Sequence, residues 1–147
     1  MLINFSITAL ECEDKVDLLV IMDDSAKVGE KKFSQMKDMV KTLLELFTIS
    51  AERTSISLMT YNSKPSIHVK LPQLSTNIPQ TLEKLTKELE NIRFSGDASS
   101  KLADALAMAG AQVFPERLKS RDSKKVMITC FISFFKWRTL GKLKIEY

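Results

Sequence analysis

The residues of this chain best suited to chemistry are oxygen donors gathered at two junctions. The first, residues 21–29 (IMDDSAKVG), runs from apolar side chains straight into Asp23, Asp24, Ser25 and Lys27. The second, residues 94–106 (FSGDASSKLADAL), carries Asp97, Ser99 and Ser100. Carboxylates and hydroxyls are hard donors of the kind Mg²⁺ or Mn²⁺ accepts, so the two junctions together have the makings of a divalent-cation site. The same residue types also build turns and helix caps, and that plainer reading stands beside the first. Lys27 argues against a cation, because an ammonium where an oxygen should be repels a dication.

Other chemistry has little support. His68 is the single histidine, on the polar side of an alternating stretch, and reads as a solvated surface residue. Without a G-x-S-x-G elbow, a hydrolase triad has no frame, and without G-x-G-x-x-G or a P-loop neither has nucleotide chemistry. A metal-assisted enzyme using Asp23 and Asp97 would lack a visible general base. Cys12 and Cys130 lie towards opposite ends of their parallel strands, too far apart for the ~7 Å Cα separation of a disulfide, so both thiols are expected to be free.

The elements that would position the two junctions follow from hydrophobic patterning. Residues 16–22 (VDLLVIM) form a nearly continuous apolar run, the mark of a central strand buried on both faces of a parallel sheet. Phe33, Met36, Val40, Leu43, Leu44 and Phe47 recur at helical spacing. Residues 54–61 (TSISLMTY) are the next strand, 62–65 (NSKP) a turn, and Ile67, Val69 and Leu71 alternate as the second arm of a hairpin. Ile78, Leu82, Leu85, Leu89 and Ile92 mark a second helix. A third, rich in alanine and glycine, runs from the second junction to about Phe114 and would pack closely on a sheet. Residues 126–131 (VMITCF) are a last buried-type strand, preceded by a basic stretch (Arg117 to Lys125) read as a solvated loop. The order β-α-β-β-α-α-β implies an α/β, Rossmann-like layered fold with helices on both faces.

At 147 residues, 44% hydrophobic and 27% charged, the chain reads as one globular domain. Its net charge of +4 is spread over dispersed lysines rather than one stripe, so nucleic-acid binding is not expected, and no apolar run reaches the ~18 residues of a membrane helix, so neither is membrane insertion. The first residues make no convincing signal peptide. An Asn4-Phe5-Ser6 sequon carries little weight.

The order and spacing of these pieces resemble the von Willebrand factor type A domain. The resemblance rests on the acidic D-x-S turn at 23–25, the helix opening V-G-x-x-x-F at 28–33, Tyr61 closing the second strand and SGDASSKLADAL before the third helix. It covers roughly residues 15–131, leaving 1–14 as an N-terminal extension and 132–147 as a divergent tail. It implies a mostly parallel sheet with one antiparallel edge strand and incomplete C-terminal strands, since some 16 residues remain where the family has two more strands with their helices. An edge so left would be open to aggregation or pairing unless residues 142–147 cover it. The Phe131, Phe134, Phe135 and Trp137 cluster reads as core for such a makeshift strand.

The family's metal-ion-dependent adhesion site takes an Asp and two Ser from the first loop, a Thr from the second and an Asp from a third. The resemblance places Asp23 and Ser25 at the first two positions, Lys27 at the second serine and Asp97, or Ser99 by a slip, at the threonine. Phe131-Ile132-Ser133 stands where the third acid would be, so that acid is missing. Lys27 is expected either to reach back and neutralise Asp23 and Asp97 or to extend outward. The implied state is a degenerate site, with metal binding weakened or lost and no cofactor required. The implied function is a non-enzymatic adhesion module that binds matrix or adhesion proteins, collagens among them, through loops 23–27, 62–65 and 95–100. Asp24, Lys27, Lys64 and Ser99 are the candidate protein contacts. A secreted setting follows from motif style; an intracellular scaffold of the same fold is the alternative.

Overall fold

The structure, a computed structural model, describes residues 15–72, 79–115 and 122–130. Chain order is β1 (Val16–Asp23), α1 (Glu30–Glu45), β2 (Thr54–Tyr61), β3 (Pro65–Val69), α2 (Leu82–Asn91), α3 (Leu102–Met108), a π-helical turn (Ala109–Val113) and β4 (Lys124–Cys130). The strands form one sheet in the order β3-β2-β1-β4. β1 runs parallel to β2 and β4, and β2 is antiparallel to β3. This is the mostly parallel sheet with a hairpin edge that the pattern implies.

Burial explains why the layers form. Every residue of β1 and β2 is buried, so both sheet faces need covering. Leu18, Val20, Met22, Ile56 and Leu58 pack beneath α1 and α2, against Phe33, Met36, Val40, Leu85 and Leu89. Leu19, Ile21, Met59 and Tyr61 face the other way, where Ala105 and Ala109 bring the third helical segment close. Each large side chain so buried contributes about 1.5–3 kcal/mol, which is what holds two helical layers on one sheet. The exception in β1 is Asp17, whose buried carboxylate takes the Lys125 ammonium at 2.6 Å and the Ser123 hydroxyl at 2.7 Å. A buried charge stays ionised only with such partners.

Several details depart from the sequence pattern. β3 begins at Pro65 and ends at Val69, short of Leu71, and a bulge opposite Leu58 and Met59 shifts its register. The third helix gives way to a π-helical turn after Met108. β4 starts at Lys124, so Lys124 and Lys125 belong to the strand, and Lys125 reaches Asp17 instead of lying in a solvated loop. Val126 and Met127 on β4 remain 40% and 44% exposed. Cys130 is a free thiol whose pKa burial pushes up to about 11. Cys12, the Asn4 sequon, the aromatic cluster and residues 131–147 lie outside the described residues.

Where β3 stops, the ladder of β2 is completed by a side chain. The Gln80 carboxamide accepts from the Ile56 N–H at 2.8 Å and donates to the Ile56 carbonyl at 2.7 Å, as a neighbouring peptide would. Its amide also lies 3.2 Å from the Lys70 carbonyl. Ile56 is fully buried, so losing this partner strands a donor and an acceptor. Gln80→Ala is therefore expected to lower stability by about 1–3 kcal/mol, read by urea unfolding.

Candidate functional site

Three loops leave the carboxyl ends of the sheet, where ligands gather in open α/β folds. The first follows β1, the second links β2 to β3, and the third joins α2 to α3. Asp23, the last residue of β1, sits opposite Tyr61, the last of β2. Its Oδ1 accepts from the Ser25 N–H and its Oδ2 from the Ser100 hydroxyl, each at 2.9 Å. Burial, and then the Asp23 charge, push the Tyr61 hydroxyl pKa up to about 12, so it stays neutral.

Backbone bonds tie the loops together. Ala26 N–H donates to the Asp97 carbonyl at 2.8 Å and Gly96 N–H to the Asp24 carbonyl at 3.0 Å, joining first loop to third. Asp24 N–H donates to the Tyr61 carbonyl at 3.0 Å, and Lys101 N–H to the Asn62 carbonyl at 2.9 Å. Two glycines make the turns. Gly29 (φ 79°, ψ 150°) lies in a region that is essentially glycine's alone. At Gly96 (φ 70°) a Cβ would meet the Phe94 ring at 3.0 Å, and that ring packs on Phe33.

The side chains predicted for the site are only partly brought together. Asp23 and Ser25 are adjacent, and the hydroxyl that joins them is that of Ser100, with Ser99 half-buried beside it. The Asp97 carboxylate instead accepts from the Ser63 hydroxyl and, at 2.9 Å, from the Ala98 N–H. Those two bonds, Ser63's first, and the nearby Lys64 charge hold Asp97 below the usual carboxylate range. Lys27 is exposed and makes no ion pair with Asp23 or Asp97 among the described residues, so it extends outward and does not neutralise them. Asp24 is buried, which raises its pKa, partly offset by its own N–H, Asn62 and Thr60. Asp24 Oδ1 and Ser25 Oγ are buried without a hydrogen-bond partner.

A divalent ion of the Mg²⁺ type wants about six oxygens, usually with one or two carboxylates. Here both Asp23 oxygens already accept hydrogen bonds, Asp97 is engaged by Ser63, and Lys27 brings no oxygen. No group of three or more His, Cys, Asp or Glu suited to a metal occurs among the described residues. Among the described residues Asp23, Ser25 and Ser100 lie together, Asp97 is turned to Ser63, and Asp24 Oδ1 and Ser25 Oγ are the buried side-chain oxygens left without a partner.

The profile of the von Willebrand factor type A domain matches residues 17–130. The chain belongs to this family. Its members are protein-interaction modules, and the vWA sheet accounts for the loop cluster above. In sequence the chain is 27% identical over 67 residues to the rat sushi, von Willebrand factor type A, EGF and pentraxin domain-containing protein 1, covering 46% of the chain and 2% of that protein. It is 38% identical over 50 residues to von Willebrand factor A domain-containing protein 2 of Xenopus laevis, covering 34% of the chain and 6% of that protein. In structure it resembles proximal thread matrix protein 1 of the mussel byssus, solved with zinc in its metal-ion-dependent adhesion motif. That match has TM-score 0.68 and 17% identity, over 80% of this chain and 28% of that one. BatB of Bacteroides thetaiotaomicron gives TM-score 0.60 at 10% identity, over 78% and 52%. At such identities the structural matches speak for the fold alone. The chain spans 2% and 6% of the length of the two relatives it matches in sequence, and no helix among the described residues is long and apolar enough to cross a membrane.

One site-side contact escaped the sequence. His68, in the β3 bulge, brings Nε2 to 2.9 Å from the buried Thr60 hydroxyl. Burial lowers its pKa, while Glu88 pulls the other way. With a folded pKa below the unfolded one, the unfolded chain takes up the proton first. The stabilising term is thus full above about pH 6.5 and is lost as pH falls through the folded value. Relative to His68→Gln, the native chain is expected to lose stability as pH falls below about 6.5, measured by denaturant unfolding.

Proposed function

We propose that this vWA domain is a non-enzymatic docking module whose three upper loops bind a matrix or adhesion protein without needing a metal ion. What carries the reading is the hydrogen-bonded seam among the loops: Asp23 to Ser25 and Ser100, Ala26 to Asp97, Gly96 to Asp24 and Lys101 to Asn62. A face so tied has its shape before a partner arrives, which reduces the ordering cost of binding. Asp97 turned to Ser63 supports loss of the metal requirement. The company the domain keeps in its relatives, EGF and pentraxin modules in one and a thread matrix in another, supports an extracellular setting. Collagens and matrix glycoproteins are the partners to try.

A second reading is favoured by one observation, the buried Ser25 hydroxyl without a partner. A weakly held cation beside Asp23 would satisfy it. Thermal unfolding in chelator and in rising millimolar Mg²⁺ or Mn²⁺ separates the two. Binding to the native state alone raises the midpoint, by the equivalent of ~2.7 kcal/mol at a hundredfold excess over Kd. The proposal expects no shift; a rise that depends on concentration and disappears in Ser25→Ala supports the second reading. In the same chelator, binding to immobilised collagens and matrix glycoproteins should be measurable and should weaken in Gly96→Ala. Failure of the whole panel contradicts a docking role.

A further inference from the structure

One hydroxyl stands between the hairpin edge and the base of the first loop. Thr60, near the end of β2 and 2% exposed, lies 2.9 Å from His68 Nε2 on β3. Asp24, 4% exposed, follows on the same side of the sheet, two residues beyond Met22, which pairs with Thr60. The Asp24 backbone belongs to the seam: its N–H donates to the Tyr61 carbonyl and its carbonyl accepts from the Gly96 N–H, both at 3.0 Å. Burial raises the Asp24 pKa, and the Thr60 hydroxyl is among the neighbours that oppose the rise. Yet Asp24 Oδ1 has no hydrogen-bond partner.

A hydroxyl has one proton to give. Neutral His68 with its own proton on Nδ1 accepts the Thr60 proton at Nε2, and Asp24 goes without it. Protonated His68 donates from both ring nitrogens, so Thr60 Oγ1 must accept, and its proton is free to turn to Asp24. The unpartnered Asp24 Oδ1 matches the first of these states. His68 is exposed and can exchange protons with solvent, whereas Thr60 and Asp24 are shut off from it. Burial lowers the His68 pKa, and the Glu88 carboxylate on α2 opposes the fall. Of the other elements against β3, β2 presents the uncharged Thr60, and α3 packs near Ile67 on the opposite face of the sheet. Lys70, two residues on from His68, is exposed.

We infer that His68 and Thr60 form a pH-driven hydrogen-bond switch, in which a proton taken up by His68 on the hairpin edge releases the Thr60 hydroxyl to Asp24 beneath the first loop. One proton enters from solvent, one hydroxyl turns, and no covalent bond of the chain changes. The switch carries solvent pH to the Asp24–Gly96 bond, which joins the first loop to the third. It belongs to the fold and stands whatever the upper loops bind.

Solution NMR of the full chain between about pH 8 and about pH 5 tests it. The ring nitrogen shifts of His68 are expected to show the Nδ1–H tautomer at the upper end. As pH falls, the Gly96 amide and the Asp24 carboxyl carbon should shift with the midpoint of the His68 ring. Thr60→Val should abolish those shifts while His68 still titrates, and Thr60→Ser, which keeps the hydroxyl, should restore them. His68→Gln should abolish them as well, and carries the test if Thr60→Val does not fold. An Nε2–H tautomer in the neutral ring overturns the inference, because the hydroxyl proton would then be free already. A Gly96 amide without an inflection at the His68 midpoint overturns it too. So does an inflection that survives in Thr60→Val or in His68→Gln, which would assign the movement to another group.

Discussion

Asp23 stands at the buried tip of the central strand, where its carboxylate has to find partners without moving. It takes the Ser25 N–H from its own loop and the Ser100 hydroxyl from a loop 77 residues away. Nearly everything at the upper end of the sheet depends on that arrangement. The third loop must come close enough for Ser100 to reach, and the paired bonds of Ala26 with Asp97 and Gly96 with Asp24 hold it there. With first and third loops joined, Lys101 is brought onto Asn62 and the second loop is drawn in. Three excursions of the chain become one surface.

The sheet makes this economical. In a parallel array with both faces covered, the carboxyl ends of β1 and β2 open at the same edge, and their last residues, Asp23 and Tyr61, stand side by side. The opposite end handles its own buried acid differently: Asp17 is neutralised by Lys125 from β4 and bonded by Ser123. At the upper end Asp23 is met by N–H and O–H donors, Asp97 by Ser63, the Ala98 N–H and the nearby Lys64 charge, and Asp24 Oδ1 is left without a partner.

Much of the fold was legible in the sequence because it follows from periodicity. An apolar run such as VDLLVIM has no stable place except a strand buried on both sides, and alanines at helical spacing have to face something flat. Asp23, Ser25 and the first two loops were legible because they are attached to strand ends, and the third from its polar residues between two helical patterns. What was not legible depends on direction inside a loop. Asp97, Ser99 and Ser100 are near neighbours in sequence, and which of them reaches Asp23 is decided by the turn at Gly96 and by Phe94 packing on Phe33. Lys27 follows Ala26, whose N–H donates a hydrogen bond to the Asp97 carbonyl, far along the chain. Gln80 closing the β2 ladder and His68 meeting Thr60 likewise depend on a bulge that no local pattern announces.

We read the three loops as one face held by hydrogen bonds without a cation. Native-state hydrogen exchange at the Ala26, Gly96 and Lys101 amides tests it directly, in chelator and again in millimolar Mg²⁺. The seam predicts that all three amides are protected together in chelator and that Mg²⁺ leaves their exchange unchanged. Fast exchange in chelator, slowed only when Mg²⁺ is present, would show that the face is assembled by a metal ion and would contradict the account.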